Sequence, residues 1–376
     1  MAAQPMRVCH VITGLDVGGT EVALCGLLET LGQPEQMVVV LREKGVLSTR
    51  VAGLAELHHL DMGAGKATPG DLLRLRNFMR ARKPDIIHAW MYHANFMTAL
   101  AVRGLGIPLI WGIHHSLSDL ASEKRKTRVV IRANALLSNV PDRIRYVSTV
   151  AAGQHQQAGF SGKRAVIIPN GYDTNAFTPD PEARSRVRHE LEIPHDALVI
   201  GMVARVHPTK DHANFLQAAK HFLAGQPDTV FVLVGEGTAD DQELLSLIER
   251  LKLQRQVRLC GRRSDIAALN SAFDIATLSS RGEAFPNAIA EAMACGVPCV
   301  STDAGDAAMI IGDTGVIVPP RDPIALSDGW SRLAALQSDE REALGRRARQ
   351  RIMEQFARET IGRRFVELYQ GLVAAA

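Results

Sequence analysis

Short apolar runs alternate with helical patterns along the chain, and the alternation starts afresh halfway. In the first half the runs are 7–12, 37–41, 85–89, 108–112, 144–147 and 165–168, with helical segments such as 21–31, 70–82 and 95–105 between them. The second half begins again with 198–204, 229–234, 256–259, 275–278 and 298–301. Strand-helix alternation of this kind predicts parallel sheets covered by helices on both sides. The stretch from Asn170 to Asp196 holds Pro179, Pro181, Pro194 and a short charged helix over 184–191, and it reads as a linker. The expected fold class is therefore α/β, with two doubly wound, Rossmann-like domains facing across a cleft.

At 376 residues the chain has room for two such domains. A net charge of +3 gives no argument for nucleic acid as a partner. Charge is unevenly spread: Lys124, Arg125, Lys126, Arg128 and Arg132 crowd one segment, and Arg346, Arg347, Arg349 and Arg351 another. Such clusters read as exposed helix faces, or as contacts to anionic lipid or substrate. The five cysteines, Cys9, Cys25, Cys260, Cys295 and Cys299, form no Cys-x-x-Cys pair, which suits reduced thiols in the cytoplasm. No apolar stretch approaches the roughly 20 residues of a membrane span.

The segment from Arg281 to Pro298 carries the most chemistry. Glu283 lies in a loop, and Glu291 eight positions on lies in the helix that follows. Pro286 suits the first helical position and Gly296 the position just past the end. The N–H groups near Phe285, Asn287 and Ala288 then face the space beside Glu283, and a helix start attracts anions. Carboxylates beside an anion site suit a ligand with both hydroxyls and phosphates, such as a nucleotide-sugar. Eight helical positions span about 12 Å at about 1.5 Å each. Hydrolase carboxyl pairs sit about 5 to 9.5 Å apart, so a glycosidase is disfavoured.

Three further motifs follow strands. Gly18 and Gly19 would let the backbone approach a ligand at a helix start, without the Gly-x-Gly-x-x-Gly spacing of dinucleotide binders. His114 and His115 lie just past a strand, where an imidazole could donate to a sugar hydroxyl. Arg205 and Lys210 can together hold a diphosphate, one as a planar fork and the other as a point charge. Gly235, at another strand end, would pass close to a nucleobase or ribose. No Asp-x-Asp occurs, so no cofactor and no divalent metal are expected, the cations neutralising the diphosphate instead.

These residues, in this order, resemble glycosyltransferase family 4, the retaining enzymes of GT-B fold. The most specific match is Glu283 and Glu291 followed by Ala-Met-Ala-Cys-Gly-Val-Pro-Cys-Val. The resemblance implies that Arg205 and Lys210 bind the donor phosphates and that Glu283 binds the transferred sugar. Phe285, Pro286 and Asn287 would lie near the sugar and diphosphate, Glu291 at the ribose, and Gly18 and Gly19 near the diphosphate. The loop histidine of the family falls at His114 or His115. Where the family has Glu-Gly-Phe-Gly this chain has Glu-Ala-Phe-Pro, which removes one N–H. The implied domains are 1–175 on the acceptor side, 176–355 for the donor, and a C-terminal helix in 356–376 that crosses back to the first domain. Ile361, Phe365, Leu368 and Leu372 give that helix its apolar face.

The implied partners are a nucleotide-sugar donor and a glycan or lipid-linked acceptor, as in polysaccharide or lipopolysaccharide assembly. The acceptor should meet first-domain loops, through His88, Tyr92, His93 and Asn95 and through the segment 114–126. The basic run 124–132 could lie against the inner face of the cytoplasmic membrane. Competing readings are a nucleotide-sugar epimerase, which would convert donor without acceptor, and a non-catalytic nucleotide-sugar-binding protein.

Overall fold

The computed structural model describes residues 6–16, 18–31, 35–42, 44–63, 68–118, 125–194 and 196–376. The chain forms two compact units, one of residues 1–171 with 358–376 and the other of residues 172–357. Each is a parallel sheet wound on both faces by helices, as the alternation of apolar runs requires.

Unit 1 holds β1 (Val8–Ile12), β2 (Gln36–Val40), β3 (Glu56–His59), β4 (Ile86–Trp90), β5 (Leu109–Ile113), β6 (Arg143–Tyr146) and β7 (Ala165–Ile167). Their order is β3-β2-β1-β4-β5-β6-β7, so the winding reverses between β1 and β4. Unit 2 holds β8 (Val199–Val203), β9 (Val230–Val234), β10 (Val257–Leu259), β11 (Ile275–Leu278), β12 (Cys299–Thr302) and β13 (Gly315–Val318). Their order is β10-β9-β8-β11-β12-β13, and the winding reverses between β8 and β11. In open sheets of this kind ligands gather beyond the strand ends at the point of reversal.

Two strands are missing from the runs read in the sequence. β3 and β13 are both edge strands, largely half-buried, and β3 reads Glu-Leu-His-His. That accounts for β3, since an edge strand needs little apolar surface to pair; β13, Gly-Val-Ile-Val, is an apolar run that the sequence does show.

The expected linker is structure instead. Its helix, Pro181–Glu190, is capped by Asp180, which accepts from the Ala183 N–H at 2.9 Å. Arg184 and Arg188 bond both oxygens of Asp274, at 2.6 and 2.7 Å, and Asp274 also accepts from the Val199 N–H. The charges that make this stretch look solvated hold the helix against the starts of β8 and β11. The observed unit boundaries fall at 171/172 and 357/358, beside the expected 175/176 and 355/356. Tyr172 and Ala357 form a bridge with each other.

The helix Arg358–Ala374 belongs to unit 1. It buries Ile361, Phe365 and Tyr369 beside Trp90 and the helix Gly19–Leu31, with Leu368 and Leu372 partly covered. Gly362 allows this contact, because a Cβ there would collide with Thr30.

Candidate functional site

In unit 2 the loops after β8 and β11 meet at the point of reversal. Ser279 and Ser280 are fully buried at the end of β11. The Ser279 hydroxyl donates to the carbonyls of Lys210 and Asp211 at 2.8 and 3.1 Å. Asp211 takes a left-handed backbone (φ 51°) and accepts a forked pair from Arg281, 2.6 Å to Nε and 2.9 Å to Nη2. The Arg281 N–H also donates to the Thr209 carbonyl. These bonds bring the Lys210 ammonium to 2.5 Å from Glu283 Oε1, which also accepts from the Ser280 hydroxyl at 2.7 Å. Glu283 Oε2 has no partner among the described residues and stays open to a hydroxyl donor. Arg205 is exposed and makes no ion pair with a described residue. Its charge, with that of Lys210, holds the neighbouring His207 below the usual imidazole range after burial has done most of that.

The helix after Glu283 runs Asn287–Ala294. Pro286, expected at the first helical position, is instead the N-cap, so the N–H that proline lacks lies outside the helix. Phe285 is buried, with its ring parallel to Tyr172 at 6.4 Å, and the Tyr172 hydroxyl donates to Asn287 Oδ1 at 2.7 Å. The helix ends in a Schellman turn: Gly296 (φ 75°) donates to Met293, and Val297 donates to Ala292. Glu291 is half-buried, and desolvation pushes its carboxyl up to about 7. Gly235 has a structural reason: at φ 146° any Cβ would run into the carbonyl of Ala204, where β8 and β9 end side by side.

In unit 1, Gly18 and Gly19 stand at the start of the helix after β1. The Glu21 carboxylate folds back over Gly18, into the space a Cβ would take, so the helix start is already covered by an anion. Val17, Asp119 and Lys124 lie outside the described residues. His114 follows β5. Its ring stacks on Trp90 at 5.2 Å and 25°, its backbone N–H donates to Met91 Sδ, and the Arg145 guanidinium donates to its Nε2. Burial, with Arg145 second, holds His114 well below the usual imidazole range. His115 stands edge-on to Tyr92 at 6.1 Å.

Three of the four residues assigned to the acceptor are core residues. His88 is fully buried, and its Nδ1 is bonded to the Tyr369 hydroxyl at 2.7 Å. The Tyr92 hydroxyl is bonded to His155 Nε2 at 2.7 Å, inside the apolar core. Asn95 is fully buried and donates to the carbonyls of Ala89 and Met91. β4 is buried along its whole length, and the helix Met91–Ala101 begins at once, so these side chains turn inward. His93 alone of the four is exposed.

Two family models cover most of the chain: Glycosyltransferase Family 4 over residues 17–176 and Glycosyl transferases group 1 over residues 183–351. The chain belongs to glycosyltransferase family 4. EpsF of Bacillus subtilis is 26% identical over 313 residues, 81% of this chain and 80% of that one. An Escherichia coli enzyme, UDP-Gal:alpha-D-GlcNAc-diphosphoundecaprenol alpha-1,3-galactosyltransferase, is 25% identical over 238 residues, 61% of this chain and 60% of that one. Among solved structures, Anabaena Alr3699/HepE in complex with UDP superposes with a TM-score of 0.86 at 22% identity, over 98% of this chain and 100% of that one. The same protein has been solved with UDP-glucose. The fold is of the GT-B type.

Sequence reading of this glycosyltransferase missed Asp211, Arg281, Ser279 and Ser280, which hold the Lys210–Glu283 pair together. A signal was present: Ser-Ser-Arg directly precedes Gly282-Glu283, and Asp211 directly follows Lys210. It also missed Arg145, since Arg143 and Arg145 alternate with Ile144 and Tyr146 along β6 and nothing local tells which arginine is buried. Among the described residues no helix is long and apolar enough to cross a membrane.

Proposed function

We propose that this glycosyltransferase moves a sugar from a nucleoside diphosphate to an acceptor hydroxyl with retention of anomeric configuration, and without a metal. The observation that carries this is the Lys210–Glu283 pair, held where β8 and β11 end, with Arg205 in the loop that bears Lys210. Glu283 has one oxygen occupied and one open for a sugar hydroxyl. Glu291, one helix turn further in, accepts from ribose. Lys210 and Arg205 turn to the diphosphate.

Breaking the anomeric bond leaves positive charge on the sugar ring and negative charge on the departing phosphate. Cations already aimed at that phosphate stabilise the transition state more than the ground state. The leaving phosphate takes the acceptor's proton and holds the attacking oxygen on its own face of the sugar, which gives retention. The absence of Asp-x-Asp from the sequence supports cations of the protein in place of a metal.

A UDP-sugar is the favoured donor, from the UDP-glucose complex of HepE and the UDP-Gal in the name of the E. coli relative. That relative's diphosphoundecaprenol acceptor supports a lipid-linked glycan and a place at the cytoplasmic face of a membrane. The helix Arg125–Leu137 suits such a surface: Val129 and Leu136 are 65% and 87% exposed, beside Arg125, Lys126 and Arg132, with no acidic residue in the helix.

Purified protein is screened against UDP-sugars by thermal shift, and the hits are tested with lipid-diphosphate-linked sugars in EDTA. NMR of the product reads the anomeric configuration. Inverted product, or loss of activity in EDTA, overturns the corresponding part of the reading. Conversion of donor without acceptor overturns transfer itself. Flotation with anionic liposomes tests the membrane face, and binding unaffected by salt removes it.

A further inference from the structure

Arg145 is the least expected residue in unit 1. It stands on β6, its side chain is 1% exposed, and no carboxylate among the described residues pairs with it. Its Nη2 donates to the Pro169 carbonyl at 3.0 Å and to Asn170 Oδ1 at 3.4 Å. Its guanidinium lies 5.2 Å from the centre of the Phe365 ring, and its Nε has no partner. Burial lowers its pKa to about 9, which leaves it charged at neutral pH.

A buried cation without a counter-ion is costly, and an aliphatic residue would fill the same space without that cost. The arginine supplies something an aliphatic residue cannot. Its remaining head nitrogen, Nη1, is directed at the His114 ring, with Nε2 the nearer ring nitrogen. Guanidinium has only donors. The ring nitrogen it meets must therefore offer a lone pair, and the ring's single proton must sit on Nδ1. A protonated imidazole would put two cations in contact. Trp90 stacks on the face of the ring and limits its rotation, and the bond to Met91 fixes the backbone beneath it.

We propose that Arg145 is a positioning residue for His114, fixing it as the neutral Nδ1–H form so that the imidazole presents one N–H donor to a substrate hydroxyl. The choice of tautomer follows from the protein alone; the substrate hydroxyl rests on the proposed function. This arrangement also separates the two loop histidines, since it is His114 that the fold pre-sets.

The charged and titratable groups around His114 are Arg145 on β6, His88 on β4 with His10 on β1 behind it, and Tyr369, Arg358 and Arg364 on the C-terminal helix. None is a carboxylate, so nothing there favours an imidazolium. Arg358 is itself engaged by Glu29 at 2.5 Å.

The test is long-range ring ¹⁵N NMR of histidine-labelled protein, with His114→Ala identifying the His114 signals. Wild type should show the Nδ1–H form, unchanged from pH 8 to pH 5.5. In Arg145→Met the signals should become a mixture of tautomers, and His114 should take up a proton near the ordinary imidazole value of about 6.5. Arg145→Lys, which keeps a donor, should restore the wild-type form in part. An Nε2–H form or an imidazolium in neutral wild type overturns the proposal, as does Arg145→Met with unchanged tautomer and titration. Circular dichroism checks folding; if Arg145→Met does not fold, the wild-type and Arg145→Lys spectra decide. In kinetics, Arg145→Met should gain an acidic limb in kcat/KM. Failure to find transfer with any donor would count against the proposed function and leave the NMR result standing.

Discussion

Replacing Glu291 by glutamine should make the protein more stable and less active, and the gain should depend on pH. The Glu291 carboxyl is raised from 4.5 to about 7 by desolvation. Between those values the folded protein keeps a proton that the unfolded chain has lost, so stability falls as pH rises through the window. At about 1.4 kcal/mol per pH unit the full cost of ionising it in place is about 3 kcal/mol. Water reaching the part-exposed carboxyl screens the charge and brings this to about 2 kcal/mol. Glutamine has nearly the same shape and never ionises, so Glu291→Gln should recover that amount above pH 7 and nothing at pH 4.5. For a domain of this size 2 kcal/mol corresponds to about 4–8 °C in Tm. Melting curves of the two proteins at pH 5, 6, 7 and 8.5 give the difference directly, since the other titrating groups cancel. An offset that does not change with pH, or a variant that melts below wild type at pH 8.5, refutes the reasoning. The same substitution removes an acceptor for ribose hydroxyls, so donor KM should rise while stability improves. Wild-type donor affinity should itself strengthen from pH 6 to pH 8, as the carboxyl ionises.

Arg205→Ala should lower kcat by about 10²–10³-fold through loss of a donor to the leaving phosphate; unchanged turnover at saturating donor would contradict that role. Arg281→Ala should cost about 1.5–3 kcal/mol in denaturant titration, because the buried Asp211 loses charged hydrogen bonds. It should also weaken donor binding by releasing the Lys210 loop, and an unaffected KM would uncouple the clamp from the site. Gly345→Ala should destabilise unit 2 by about 1–3 kcal/mol, since its Cβ would run into the Gly296 carbonyl at the end of the Glu291 helix; a melting point equal to wild type would show that the turn yields.

What the sequence made legible follows from which forces leave a local trace. Most interior strands are nearly continuous apolar runs because both faces are covered, and they could be read directly, β6 with its two arginines being the exception. β3, Glu-Leu-His-His at a sheet edge, could not, whereas β13, Gly-Val-Ile-Val, carried the signal and was passed over. The Glu291 helix was legible at both ends, since Gly296 and Pro298 have backbone reasons to be there, although Pro286 caps the helix and does not begin it. Arg205, Lys210, Glu283 and Glu291 all fall in one unit, and Lys210 meets Glu283. The clamp that joins them did not show, because Asp211 and Arg281 are 70 positions apart. Burial of three acceptor assignments was hidden for a different reason: polar residues near a strand end look solvated in sequence, yet His88 and Asn95 spend their hydrogen bonds inside the core.

The segment that closes unit 1 is made after the whole of unit 2. Until Phe365 and Tyr369 arrive, the nascent first sheet has its Trp90 and His88 face bare and Arg145 without its aromatic cover, whereas unit 2 is continuous and can fold without waiting. Synthesis therefore imposes an order of maturation, with the interrupted unit exposed longest to chaperones and proteases, and a ribosome stalled before Arg358 would display a finished second lobe beside an open first one.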